Sequence, residues 1–280
     1  MKLQYLGTAA AEGWPALFCD CDSCRRARIA GGRNIRTRSQ AMLDDRLLID
    51  LPPDTYHHLL TNNIDISFIE NIVITHGHED HWYPWEILYR SDAFANYQHP
   101  ENLKPLTVWG TSRIKADMEA KLAMRRLGEL DRVRYQEVHP FEGYSIDHYT
   151  VTPLPANHDP KAVPVIYQIT DGQSTMLYGN DTGIPSEIVW DYWTKNPVRF
   201  DLVSLDCTAI AQKGWRDDHM SLDTNEEVIY RLRSLGCVDD NTIVVIHHFS
   251  HNGGPIHDEL CDIVADKGWL VSYDGMVVVF

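Results

Sequence analysis

Short apolar runs recur along the whole chain, separated by polar and glycine-containing stretches. KLQYLG at 2–7, NIVIT at 71–75, LTVWG at 106–110, YTVTPL at 149–154, DLVSLD at 201–206 and TIVVIH at 242–247 are strand-length and rich in β-branched or aromatic residues. Three pairs of runs flank a two-residue turn signal: AML and RLLID around Asp44-Asp45, VPVIYQIT and TMLYG around Asp171-Gly172, and LVSY and MVVVF around Asp274-Gly275. Aspartate and glycine tolerate the backbone of a tight turn, so each pair predicts a hairpin. Between the strands the apolar spacing lengthens to that of a helix. The predicted helices are WEILYRSDAFANY at 85–97, Thr111 to Leu127 with Gly128 as a stop, SEIVWDYWTK at 186–195, LDTNEEVIYRLRSLG at 222–236 and PIHDELCDIVADKG at 255–268. Hairpins followed by strand–helix alternation predict sheets covered by helices on their outer faces.

The chain has 280 residues, 44% of them hydrophobic, enough for a sizeable core. No repeat or linker-like run divides it, so a single domain over 1–280 is expected. No apolar run reaches the roughly 18–20 residues of a membrane span. The start, MKLQYLGTAAAEG, has no apolar signal-peptide core, so the expected location is cytoplasmic. The net charge of −15 repels long polyanions such as DNA and RNA. A small anionic substrate stays compatible, because bound divalent cations invert the local field. The sequence does not report oligomeric state, and a homodimer stays open.

ITHGHEDHW at 74–82 concentrates ligand chemistry. His76, His78, Asp80 and His81 form an HxHxDH pattern directly after a β-branched strand. A loop at a strand's end can fold short side chains onto one point. Imidazole and carboxylate suit zinc, manganese or iron. Four such groups in six positions outweigh the reading as a solvated polar loop. Further donors fall at later strand ends: His158, Asp181, and the pair His247 and His248. Strand neighbours point to opposite faces, so one of that pair is expected to reach the cluster.

Six cysteines make no disulfide framework. Cys19, Cys21 and Cys24 cluster as C-x-C-x2-C, while Cys207, Cys237 and Cys261 are scattered and read as small buried hydrophobes. In a reducing compartment the tight cluster points to a metal site. A closed structural zinc site needs four ligands. No fourth cysteine is near, and His251, three residues past His248, is the candidate.

The ordered set HxHxDH, then His, Asp and His, resembles the metallo-β-lactamase superfamily. Asp50 in LLIDLPPD matches the acid that ends an early strand of that fold. The resemblance covers nearly the whole chain. It implies an α+β fold, a four-layer αββα sandwich, with a two-metal site at one edge. It implies that His76, His78 and His158 hold one metal, that Asp80, His81 and His248 hold the other, and that Asp181 bridges them. A narrower branch is also similar: the phosphodiesterases that accompany the carbon–phosphorus lyase pathway and act on cyclic ribose phosphates. The shared motifs are the C-x-C-x2-C loop, VTPLPANH, DTG at 181–183, LDC at 205–207, DHMSLD at 218–223, HxxH at 248–251 and YDGM near the C-terminal end. This branch favours His248 over His247, which then packs or supports from behind. Pyrroloquinoline-quinone synthesis B proteins share the cysteine loop. The stretch 82–150 shows no correspondence, and a segment around 82–130 is expected to cap the site. Trp82 and Trp85 read as core packing before they read as a stacking surface.

The resemblance implies two divalent metals, zinc or manganese, that activate a bridging water against a small phosphodiester, cyclic ones included. Asp80 and His219 are assigned to catalysis. His219 would protonate the leaving oxygen, its ordinary pKa near 6.5 suiting that task. Asp50 and Asp206 would orient ligand histidines. Alternatives are a hydrolase of a lactone, lactam or thioester on the same site, or a non-hydrolytic accessory protein like the quinone-synthesis B proteins.

Overall fold

The computed structural model describes residues 1–91, 94–124 and 132–280. Two seven-stranded sheets face each other. In the first, β1 (Lys2–Gly7), β2 (Gln40–Leu43) and β3 (Leu47–Ile49) form an antiparallel meander, and β4 (Asn71–Val73), β5 (Leu106–Gly110) and β6 (Val133–Glu137) continue it in parallel. In the second, β7 (Tyr144–Ile146), β8 (Tyr149–Pro155), β9 (Val165–Thr170) and β10 (Thr175–Gly179) are antiparallel neighbours, and β11 (Leu202–Asp206), β12 (Ile243–His247) and β13 (Leu270–Val271) add in parallel. β14 (Val277–Val279) closes the first sheet beside β1.

The period-2 alternation decides the layers. Leu3, Tyr5, Leu43, Leu47, Ile49 and Val73 meet Val151, Tyr167, Ile169, Met176, Tyr178 and Val245 between the sheets. The intervening residues of β9 to β11, Ile166, Leu177, Val203 and Leu205, face outward. They are covered by Val189, Trp190 and Trp193 of α4 (Glu187–Lys195) and Val228 and Leu232 of α5 (Leu222–Ser234). Burying side chains of this size stabilises each contact by about 1.5–3 kcal/mol. Ile246 and Phe249 pack under Leu260 and Val264 of α6 (His257–Val264) and Ala27 of α1 (Asp22–Ala30). Leu48, Ile72 and Val108 pack under Ile114 of α3 (Ser112–Met124) and under Trp82. The order is helix, sheet, sheet, helix: the expected αββα sandwich.

Two predicted elements differ. The turn at Asp274-Gly275 joins no hairpin, because β13 pairs in the second sheet and β14 in the first. The Asp274 carboxylate is captured by Thr8 Oγ1 at 2.6 Å and by the Thr37 amide at 2.7 Å, which ties the crossover to the opposite sheet. The helix predicted over 85–97 is a short 3-10 turn, Glu86–Arg90, after which Ser91 is extended. Arg90 is buried and donates to the carbonyls of Ser67 and Lys104, so tertiary bonds override the local pattern. Residues 92–93, and the stop predicted at Gly128, lie outside the described residues. Four further elements, α1, α2 (Thr55–Asn62), β6 and β7, form where the apolar spacing predicts none.

Candidate metal centre

β8, β10, β11 and β12 run in one direction, since β8 and β10 are each antiparallel to β9 and β10 to β12 are parallel. β3 and β4 are parallel in the other sheet. Each of these six strands ends beside one residue or loop of the site: Asp50, the 76–81 loop, His158, Asp181, Asp206 and His248. Two donor sets hold the histidines and aspartates of the 76–81 loop, and a third, overlapping one joins Asp181 and His248 to Asp206 and His219. His76, His78, His158 and Asp181 offer ligand atoms all within 4.8 Å of one another, and so do Asp80, His81, Asp181 and His248. Asp181 belongs to both. Its Oδ2 lies 3.1 Å from His76 Nε2, 3.2 Å from His81 Nε2 and 3.5 Å from His158 Nε2. These are the residues the sequence singled out, brought together as two sets that share an acid.

The ring nitrogens explain which atom of each histidine faces inward. His81 Nδ1 donates to Asp50 Oδ2 at 2.8 Å, and His158 Nδ1 to the Asp218 carbonyl at 3.1 Å. His76 Nδ1 lies 3.0 Å from Thr75 Oγ1, whose own proton goes to Asp50. His248 Nδ1 lies 2.8 Å from Thr208 Oγ1, whose proton goes to Asp206. His78 is turned the other way, with Nε2 3.5 Å from Asp159 Oδ2 and Nδ1 inward. With the outward nitrogens acting as donors, the inward ones of the neutral rings carry lone pairs; on His81 the surrounding carboxylates favour a second proton at Nε2, which a bound cation would displace. The inward nitrogens crowd: His78 Nδ1 is 3.1 Å from both His76 Nε2 and His158 Nε2, and His81 Nε2 is 3.2 Å from His248 Nε2. A cation in each set would turn that crowding into coordination.

The electrostatics agree. Burial opposes charge on His81, yet Asp80, Asp50 and Asp181 outweigh it and push its pKa well above the ordinary range. Burial pulls His76 down to about 4, so that ring is neutral, as a ligand must be. Burial disfavours charge on Asp181 too, but His248 and His76 hold it ionised, well below the usual carboxylate range. The centre calls for positive charge, and divalent cations fit its donors.

Backbone strain sits here as well. Asp50, Asp181 and His248 have φ of 67°, 51° and 60°, in the left-handed region that costs a non-glycine residue about 1–3 kcal/mol. Each lies just past a strand, and the reversal of φ breaks the strand's alternation. This is how His248 turns into the centre. His247, still in the strand, is buried on the far side between Ser39 Oγ at 2.9 Å and Ser272 Oγ at 3.0 Å.

His219 stands beside the centre. Its Nδ1 is 3.1 Å from Asp181 Oδ1 and 3.3 Å from Asp206 Oδ2. Burial disfavours its charge, but those two carboxylates outweigh it and push the pKa up to about 11. His219 lines a cavity of about 730 Å3 above the centre. None of the described residues of 82–124 lines that cavity, although Arg113 packs against Gly77 in the 76–81 loop. Trp82 is buried in the outer core of the first sheet, and Trp85 stacks under Lys121, whose Nζ is 5.1 Å from the ring centroid.

The second cluster also assembles. Cys19, Cys21, Cys24 and His251 offer donors within 4.8 Å of one another. Cys21 caps α1, its sulfur accepting the Cys24 amide, and that bond lowers its pKa to about 6. Burial pushes Cys24 up to about 12. His251 Nδ1 lies 3.4 Å from Cys21 Sγ and 3.7 Å from Cys19 Sγ. Three thiols and one imidazole fit a closed zinc site. Sequence reasoning missed the supports around both clusters: Thr75, Thr208 and Asp159 at the centre, and Glu12, whose Oε1 lies 3.7 Å from His251 Nε2. Of these only Asp159 carried a signal, as the acid next to His158.

The family description "Beta-lactamase superfamily domain" matches residues 45–249. Ribonuclease Z of Bacillus subtilis (strain 168) is 30% identical over 165 residues, covering 58% of this chain and 47% of that protein. Ribonuclease Z of Listeria innocua is 27% identical over 161 residues, 56% of this chain and 46% of that protein. The chain thus spans about half the length of these curated relatives. Among solved structures, PqqB from Methylobacterium extorquens in a zinc-bound form superposes with a TM-score of 0.74 at 20% identity, covering all of both chains. A diphosphatase from the PhnP family superposes at 0.72 and 20% identity, covering 100% of this chain and 97% of that one. At that identity the structures speak for the fold alone. The family match spans most of the chain and takes in every histidine and aspartate of both donor sets, so the protein belongs to the beta-lactamase superfamily.

Proposed function

We propose that the chain is a metal-dependent phosphodiesterase acting on a small phosphodiester, cyclic ones included. The observation that carries this reading is the pair of donor sets sharing Asp181 beneath a cavity that also holds His219. When bound, two divalent cations, zinc or manganese, supply an activated water and a clamp for phosphoryl oxygens. The protein's own groups do the rest. Asp50, Thr75, Asp159, the Asp218 carbonyl and Thr208 fix the tautomers of five histidines, so the inward nitrogens are aligned before any ligand arrives. The two carboxylates at His219 Nδ1 hold that ring protonated and leave Nε2 to donate a proton to the departing alkoxide. Cys19, Cys21, Cys24 and His251 hold one structural zinc that staples the N-terminal loop to the segment after β12.

Zinc- or manganese-loaded protein is assayed on bis(p-nitrophenyl) phosphate and on a nucleoside 2′,3′-cyclic phosphate, with Asp80→Ala as control. Metal-dependent cleavage lost in the control is expected. Silence from protein shown by elemental analysis to hold both cations would remove the phosphodiester reading. It would favour lactone, lactam or thioester hydrolysis, or a non-hydrolytic accessory role.

A further inference from the structure

We propose that this site selects a phosphodiester whose alcohol group is rich in hydrogen-bond donors, neutral or cationic, covers Trp215, and carries no second phosphate. The inference rests on the phosphodiesterase reading and names its substrate class.

It comes from the wall of the cavity outside the donor sets. Glu12, Asp159, Asp218, Gln212, Asn252 and Trp215 contribute to that wall, and among the described residues no lysine or arginine lines it. Lys161 and Lys213, close in sequence, do not line it. Arg38 is committed to Asp54 and to the Ala11 carbonyl, and Arg216 to Glu227. Anionic substrates beyond the reacting phosphoryl group are ordinarily met by arginine or lysine. Here the wall is acidic and carries acceptors. Asp80 and Asp181 offset part of the charge of two divalent cations, and the single negative charge of a diester offsets much of the remainder. Among the described residues, His219 is the one cation of this lining and sits against Asp181 and Asp206 at the centre, so a second phosphate farther out would face the carboxylates of the wall. Hydroxyl or ammonium groups would find acceptors there instead.

Trp215 is 47% exposed, yet its backbone is pinned. Its carbonyl accepts from Thr224 Oγ1 at 2.7 Å, and the next carbonyl, of Arg216, accepts from the Ile184 amide at 2.8 Å. Gly183 fits under this loop because a Cβ there would lie 2.3 Å from the Arg216 carbonyl oxygen. Any side chain at 183 would lift the loop. The DTG motif thus supplies Asp181 and also seats the loop that holds an indole at the cavity. A half-exposed indole on a pinned backbone among carboxylates is a surface for a sugar face or for an alkylammonium group.

The test uses calorimetric binding to the metal-loaded full chain at constant ionic strength. The matched pair is ribose 5-phosphate and ribose 1,5-bisphosphate, with phosphocholine, glycerol 3-phosphate and inorganic phosphate alongside. Ribose 5-phosphate is expected to bind about tenfold or more tightly than the bisphosphate. Gln212→Lys, which adds a cation to the wall, is expected to close most of that gap. Trp215→Leu is expected to raise the Kd of ribose 5-phosphate and phosphocholine by about tenfold, and more than that of inorganic phosphate. Phosphocholine, whose quaternary ammonium carries charge but no N–H, against glycerol 3-phosphate separates positive charge from hydroxyl donors as what the wall prefers. Equal or tighter binding of the bisphosphate would overturn the proposal, as would a Trp215→Leu effect equal for inorganic phosphate and the esters. Cleavage of bis(p-nitrophenyl) phosphate by protein that binds the ribose pair alike would remove this inference and leave the phosphodiesterase reading. The expected binding pattern with no cleavage of any diester would remove the phosphodiesterase reading, and with it the assignment to a diester, and would leave only the cavity's preference for ligands without a second phosphate.

Discussion

The HxHxDH centre and the C-x-C-x2-C cluster both gather four-donor sets, but they are built in opposite ways. The cysteines come from one loop and the first turn of α1, and only His251 arrives from a distance. The centre draws on six strand ends in two sheets, with Asp181 shared. Its histidines have outward partners that fix their tautomers, and three of its residues sit in strained backbone. The cysteine cluster relies on backbone amides of its own loop, from Cys24 to Cys21 and from Ala16 to Cys24. The centre opens onto a cavity, whereas the cysteine set already has the four donors of a closed site. The lesson is that preorganisation is concentrated where a ligand is expected to react, and local chain folding suffices where a metal only has to hold.

The comparison breaks most sharply at Asp181. Asp181→Ala takes a donor from both sets, and the loss of several kcal/mol of charge stabilisation predicts a fall in diester turnover of about 10³-fold. Elemental analysis of the variant should show fewer than two active-site cations per chain. His219→Ala should keep both cations yet lose about 10²–10⁴-fold with poor leaving groups and much less with p-nitrophenolate. An equal loss for both would remove the proton-donor role. Asp50→Asn should weaken metal binding by about 10–100-fold, read by competition with a chelating dye. Asp159→Asn should do less than Asp50→Asn, because Asp159 is 42% exposed and 3.5 Å from His78 while Asp50 is buried. Cys24→Ala sharpens the contrast from the other side. It should lower Tm by roughly 5–10 °C through loss of a staple worth a few kcal/mol. Turnover well below the melting range should stay within about twofold. A tenfold loss of turnover there would mean the cysteine site supports catalysis directly.

Much of the centre was legible because its densest part is local. His76, His78, Asp80 and His81 fall in six positions after a strand, and no long-range information is needed to see them. His158, Asp181 and His248 were legible as polar residues at strand ends in a family order. The cysteine loop was legible for the same local reason. What stayed hidden were the supports. Thr75 and Thr208 are ordinary hydroxyls, and the Asp218 carbonyl is backbone. Nothing in those residue types announces which ring nitrogen they meet. Trp215 was hidden because an exposed indole in a loop looks like any other.

The amino-acid sequence by itself determined the strand alternation, and with it two sheets with helices on their outer faces. It also determined the donor chemistry, because imidazole, carboxylate and thiolate are properties of residues and not of their neighbours. Tertiary structure alone decided the partners. Asp274-Gly275 became a crossover because Thr8 and Thr37 captured its carboxylate from the other sheet. Glu86–Arg90 stayed a short turn because Arg90 found carbonyls on two other loops. His248, and not His247, entered the centre because its φ reversed at the strand's end. Local periodicity is set by covalent geometry and is written residue by residue, whereas a hydrogen bond between strand ends exists only after the sheets have packed.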